Sequence, residues 1–179
     1  VEDLTLGRGE DEGVDVGPLV EPAAVDSVRQ EINSAIDQGA SPVVDGREFT
    51  HPEYPEGNFL GPTLLSDVTP DMAITEEEVF GPVLGIQSVE DLKEAIDIVN
   101  DSLYGNAASI FTERGGEAKQ FRHRAEAGNI GVNVGVCGPM AFFHFGGCKE
   151  SFFGDLHAQS EDAIRFYTDE TVVIERWYS

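Results

Sequence analysis

Positive charge is what this sequence has least of. Its 179 residues hold 11 Lys and Arg against 34 Asp and Glu, for a formal net charge of −23. The acids run along the whole chain and are not gathered in one tail. A tail would read as a disordered interaction arm, whereas an even spread reads as an acidic surface. Such a surface repels nucleic acid and anionic membranes, which excludes both as partners. It also suits a saline cytoplasm, where salt screens the self-repulsion that is costly in dilute solution. An ordinary acidic protein is the plainer alternative.

Other scarcities exclude further classes. The two cysteines, Cys137 and Cys148, form no C-x-x-C and no disulfide framework, which fits a reducing, cytoplasmic setting. No apolar run reaches the ~18 residues of a membrane span. The opening VEDLTLGRGEDEG is acidic where a signal peptide would be basic. The chain does not begin with Met, and its first residues resemble the interior of a protein, so a fragment is expected. The histidines His51, His123, His144 and His157 lack metal-ligand spacing, so no metal site is expected. There is no G-x-G-x-x-G, no phosphate-loop G-x-x-x-x-G-K-[ST] and no G-x-S-x-G elbow. A self-contained nucleotide site or hydrolase triad is therefore not legible.

What is present is an apolar fraction of 40%, enough for a core, with 11 Phe among the aromatics. Residues 1–20 are Gly- and acid-rich and read as a loop. Val25, Val28, Ile32 and Ile36 form one apolar stripe, predicting a helix over 22–39 that Gly39 closes. A short strand is expected at 42–45, and an extended segment at 59–65 bent by Gly61-Pro62. Strand, helix, strand, helix, strand then follow at 83–89, 90–100, 109–112, 116–127 and 129–134. That alternation predicts an α/β fold with a parallel sheet. TVVIERW, residues 171–177, reads as a terminal strand that needs a partner to cover its edge. The segment 135–154 is rich in Phe and Gly and fits neither period. A long loop after a parallel strand's carboxyl end is where open α/β folds place ligands.

EEEVFGPV, residues 76–83, is the most pointed motif. In extended chain Glu78 and Phe80 share a face. A carboxylate accepts two hydrogen bonds from a vicinal diol, and a ring offers a flat wall to a heteroaromatic group. The pair suits a nicotinamide riboside; the alternative is an acid cluster at a helix end before a turn. Cys137 and Cys148 lie beside glycines but have no fixed partner of the Cys–His kind, and a structural role suits both better than nucleophilic catalysis.

EEEVFGPV resembles the acidic-x-Phe-Gly-Pro-Val motif of the aldehyde dehydrogenase superfamily. NFLGPTLLSDVTPDMAI, VNDSLYGNAASIFT, AGNIGVNVG, FGGCKESFFGD and YTDETVVIERW resemble, in order, further stretches of that family. PMAFF (139–143) and SFFGDLH (151–157) are similar to the methylmalonate- and malonate-semialdehyde dehydrogenase branch. Those enzymes oxidise a semialdehyde with NAD and pass the acyl group to coenzyme A.

The resemblance implies a role for each matching residue. Glu78 would grip the ribose of NAD, and Phe80 would wall the nicotinamide. Phe145, joined by Phe142, would line the substrate tunnel, and Asn133 would order the active site. Residues 1–170 would be part of a catalytic domain. Residues 171–179 would be a strand added to another subunit's sheet, giving a homo-oligomer. The nucleophilic Cys and the cofactor domain of the family have no counterpart here, so no catalytic residue is assigned and the isolated chain is expected to be inactive. Cys137 replaces a Pro usual in the branch, and Cys148 an aromatic. A hydrolytic aldehyde dehydrogenase and a non-catalytic assembly module are the alternative readings.

Overall fold

A computed structural model describes residues 1–178, which divide into two compact units, 1–89 and 90–178. In the first, α1 (Pro22–Asp37) begins with a proline, whose missing N–H and fixed φ suit a first helical turn. Val25, Val28, Ile32 and Ala35 are its buried residues, with Ile36 packed at the core's margin. The helix ends at Gln38, and Gly39 turns the chain at φ +117°. β1 (Ser41–Val44), β2 (Thr63–Ser66) and β3 (Val83–Gly85) form a sheet in the order β1-β2-β3. β1 pairs antiparallel with β2, and β2 parallel with β3 in the register Thr63 to Val83. The crossover between β2 and β3 carries the short α2 (Ala73–Glu76). Leu60, Leu65, Val68 and Met72 close the core against α1.

The second unit opens with α3 (Leu92–Asp101), capped by the Asp91 carboxylate, which accepts from Glu94 N at 2.9 Å. β4 (Tyr104–Gly105) and β5 (Ala107–Ile110) follow, then α4 (Gly115–Arg124), β6 (Asn129–Val132), β7 (Cys148–Lys149) and α5 (Ser160–Tyr167). β5 and β6 are parallel and joined through α4, which is the expected crossover unit. β4 and β7 form a two-residue antiparallel ladder.

The α/β class stands, but the expected single sheet across 83–134 does not. β3 pairs with β2, and β5 with β6, in separate sheets. β3 is three residues long and its edge is taken by a strand lying close before it in sequence. Among the described residues, 171–178 join no ladder, and Val172, Ile174 and Trp177 are each more than four-fifths exposed. Among the described residues no helix is long and apolar enough to cross a membrane.

Candidate cofactor and substrate sites

The segment after α2 is fixed by what lies between its two candidate residues. Val79 packs against the core, while Glu78 and Phe80 are exposed, Phe80 by 76%. Carboxylate and ring thus flank the residue that anchors the segment. Gly81 N donates to Val79 O at 2.9 Å, and Pro82 O accepts from Thr63 N at 2.8 Å, tying the turn to β2. A Cβ on Gly81 would stand 2.8 Å from Val28 Cγ1 of α1, so glycine is required for this approach. Among the described residues Glu78 has no hydrogen-bond or ion-pair partner. Its oxygens are open to a diol, and Glu76 and Glu77 face solvent. A pocket of about 340 Å³ is lined by Val79, Val68, Ile74 and Val83, and not by Glu78 or Phe80. It belongs to the anchoring side.

Phe142 and Phe145 lie in the second unit, on the loop that follows β6. Both are exposed, at 64% and 42%. Phe142 stacks obliquely on Phe143 with ring centres 4.8 Å apart. Phe145 forms a bridge with Ala158: its N donates to Ala158 O at 2.7 Å, and Ala158 N donates back at 3.0 Å. The unit's groove of about 600 Å³, lined by Leu92, Val99, Tyr104, Ile110, Phe111 and Phe121 among others, contains neither phenylalanine. Asn133, at φ +56°, accepts from Thr112 N at 2.8 Å and donates to Thr112 O at 3.1 Å. It locks the end of β6 to the end of β5, a conformation Asn adopts more readily than most residues.

The FGGCKESFFGD stretch was noted for its resemblance alone; its physical content is structural. Lys149 Nζ donates to the carbonyls of Val99, Asn100 and Ser102 at 3.3, 2.7 and 3.0 Å, fastening the end of α3. A cation at that end also meets the helix dipole favourably. Glu126 stands 3.9 Å from the same ammonium. Ser151 Oγ accepts from Gly105 N at 3.0 Å. The Cys137 thiol points to Asn129 O, and that of Cys148 to the carbonyls of Gly105 and Glu126. Both cysteines are half-buried and engaged with backbone. His51 is buried among Phe49, Tyr54 and Phe59, and its Nδ1 accepts from Glu53 N and Tyr54 N. Its other nitrogen therefore carries the proton given to Leu6 O. Among the described residues no group of three His, Cys, Asp or Glu side chains is placed to hold a metal ion.

The aldehyde dehydrogenase family model matches residues 1–173, and the chain belongs to that family. Malonate-semialdehyde dehydrogenase 2 of Shouchella clausii is 47% identical over 176 residues, covering 98% of this chain and 36% of that protein. The methylmalonate-semialdehyde dehydrogenase of Oceanimonas doudoroffii superposes with a TM-score of 0.96 at 42% identity. That match covers 99% of this chain and 36% of the other. A protein of Sinorhizobium meliloti 1021, described as a methylmalonate-semialdehyde dehydrogenase and solved with NAD, matches at the same TM-score, identity and coverage. The chain thus spans 36% of the length of these relatives.

Proposed function

We propose that this chain is part of an NAD-dependent, coenzyme-A-acylating dehydrogenase of malonate or methylmalonate semialdehyde. Residues 1–170 would belong to its catalytic domain, and 171–179 would be the strand that joins a second copy. The observation that carries the reading is the Glu78–Val79–Phe80 segment, with its middle residue anchored and an unpaired acid and bare ring outside. Glu78 would accept hydrogen bonds from the ribose hydroxyls and Phe80 would wall the nicotinamide, the positioning that hydride transfer needs. NAD, when bound, supplies the hydride acceptor. Phe142 and Phe145 would line the path of the semialdehyde, whose acyl group passes to coenzyme A. The relatives named as malonate- and methylmalonate-semialdehyde dehydrogenases support this substrate class. Cys137 and Cys148, with their thiols directed at backbone carbonyls, suit a structural role better than that of the nucleophile. The apolar 172–177 segment would gain ladder partners on another subunit.

The test is NADH formation from methylmalonate semialdehyde by the native protein, purified at high salt, with and without coenzyme A. An acyl-coenzyme-A product is expected; a free acid formed without coenzyme A would give the hydrolytic reading instead. Glu78→Gln should cut kcat/KM for NAD by about tenfold or more while the unfolding midpoint holds. An unchanged kcat and unchanged KM for NAD would remove Glu78 from the cofactor site.

A further inference from the structure

The loop bearing Phe142 and Phe145 is held from outside, by the residues that lead into α5. Ala158 pairs both ways with the Phe145 backbone. Ser160 Oγ donates to Phe142 O at 2.8 Å. His157 Nε2 donates to Gly147 O at 3.3 Å, and the imidazole stacks on Phe152 with centres 4.3 Å apart and planes 11° from parallel. The ring lies so close to the loop that a Cβ on Gly146 would collide with His157 Cδ2. The His157 backbone is tied as well: Asp162 Oδ2 accepts from His157 N at 3.2 Å, and the carboxylate lies 3.6 Å from Nδ1 of the ring.

This arrangement is made at a backbone cost. Gln159 sits at φ +70°, ψ 172° and Ser160 at φ +56°, and neither is glycine. Such conformations persist where the surroundings over-determine them, and they gather at sites where geometry serves function. Here the strained pair turns the chain so that Ala158 and Ser160 meet Phe145 and Phe142 in turn.

We propose that His157, Gln159 and Ser160 form a clasp that positions the Phe142 and Phe145 rings and thereby sets which semialdehyde the enzyme accepts. They are specificity-positioning residues, and the proposal rests on Phe142 and Phe145 lining the substrate path. A wall held by fixed hydrogen bonds can tell a methyl branch from its absence; a loose wall cannot. The substrates it separates are semialdehydes of short carboxylic acids that differ at the carbon beside the aldehyde.

The variants His157→Leu, His157→Gln and Gln159→Gly are made in the full protein and read in two ways. In His157→Leu the Phe145 and Ala158 amides should exchange about tenfold faster. Its KM for the semialdehyde should rise by about five- to tenfold, the effect of one lost hydrogen bond, with kcat and KM for NAD held. His157→Gln, which keeps a donor near the Nε2 position, should restore both. Gln159→Gly relieves strain, so its melting temperature should hold or rise while the preference between methylated and unmethylated substrate falls. A purely structural role predicts the opposite, with stability and selectivity falling together, and that result overturns the clasp. So does unchanged exchange in His157→Leu. Phe145→Ala separates the two levels. If it leaves the semialdehyde KM unchanged, the substrate-path reading fails and takes the positioning role with it. If it raises KM while His157→Leu and Gln159→Gly do not, the clasp alone fails.

Discussion

Val25, Val28, Ile32, Ala35, Leu60 and Leu65 are buried together in the first unit, whereas among the described residues of the second Ile96 and Phe121 are the buried hydrophobic side chains. Both units show large hydrophobics to solvent, Val20 and Phe80 in the first and Phe111, Val136, Phe153 and Ile164 in the second. What joins its pieces is directional. Asn100 donates to Arg124 O and accepts from Glu126 N, Asn133 ties β6 to β5, and Lys149 and Ser151 tie β7 to its surroundings. Burial is non-directional and scales with area, so the first unit gains stability from its core. Hydrogen bonds between fixed groups give less net energy but set geometry, so the second unit is held in shape more than it is held shut.

The sharpest way to break that contrast is to truncate one side chain in each unit. Ile32→Ala should cost about 2–5 kcal/mol, as a fully buried aliphatic chain does. Phe111→Ala, at an exposed position, should cost under about 0.5 kcal/mol. Urea unfolding at one fixed salt concentration measures both, and equal costs would dissolve the distinction. Next in size is Lys149→Ala, which removes three carbonyl contacts and should cost about 1–3 kcal/mol. Lys149→Gly should cost less, by about 0.4–1 kcal/mol, because the residue's φ of +54° suits glycine. The same costs for both would mean that the backbone there is unstrained.

A further effect is electrostatic and lies in the first unit. Side-chain and backbone hydrogen bonds from Arg47 hold the Asp45 carboxyl below its ordinary range, against a weaker desolvation effect. The unfolded chain then binds that proton at higher pH than the folded one. The stability is present above the ordinary carboxylate range and lost as pH falls through the lower folded value. With Asp45 over a third exposed, screening keeps the effect under about 1 kcal/mol. Melts of the native protein and Asp45→Asn should differ above about pH 4 and converge in stronger acid. A gap that widens on acidification would mean the pair works with the other sign.

Helix α1 was legible because its stripe is long and regular, and the β5-α4-β6 unit because parallel strands demand a crossover. The pairing of β3 was not, since three residues carry no period and the choice of neighbour belongs to the tertiary fold. Glu78 and Phe80 drew attention as a pair because alternation in an extended segment is a local property; in the structure Val79 packs on the core and the two neighbours are exposed. Phe142 and Phe145 were legible as positions only. α5 escaped notice because it has eight residues and no buried one, so no burial pattern marked it. The acids Glu161 and Asp162 just after Ser160 were the available sign of a helix start. With α5 unseen, the fastening of the aromatic loop was unseen too.

Lys149 has a consequence for the medium in which this chain is stable. Its side chain is four-fifths covered, and apart from the Glu126 carboxylate at 3.9 Å it is held by hydrogen bonds to carbonyl oxygens, neutral groups that dissolved ions screen little. An exposed pair such as Lys93–Asp97 fades as ionic strength rises, because the Debye length falls to about 3 Å at molar salt. Concentrated brine should therefore weaken the surface pairs while the end of α3 stays fastened. In a chain so poor in cations, the lysine that matters most for shape is the one whose hold owes least to the dilution of the solvent.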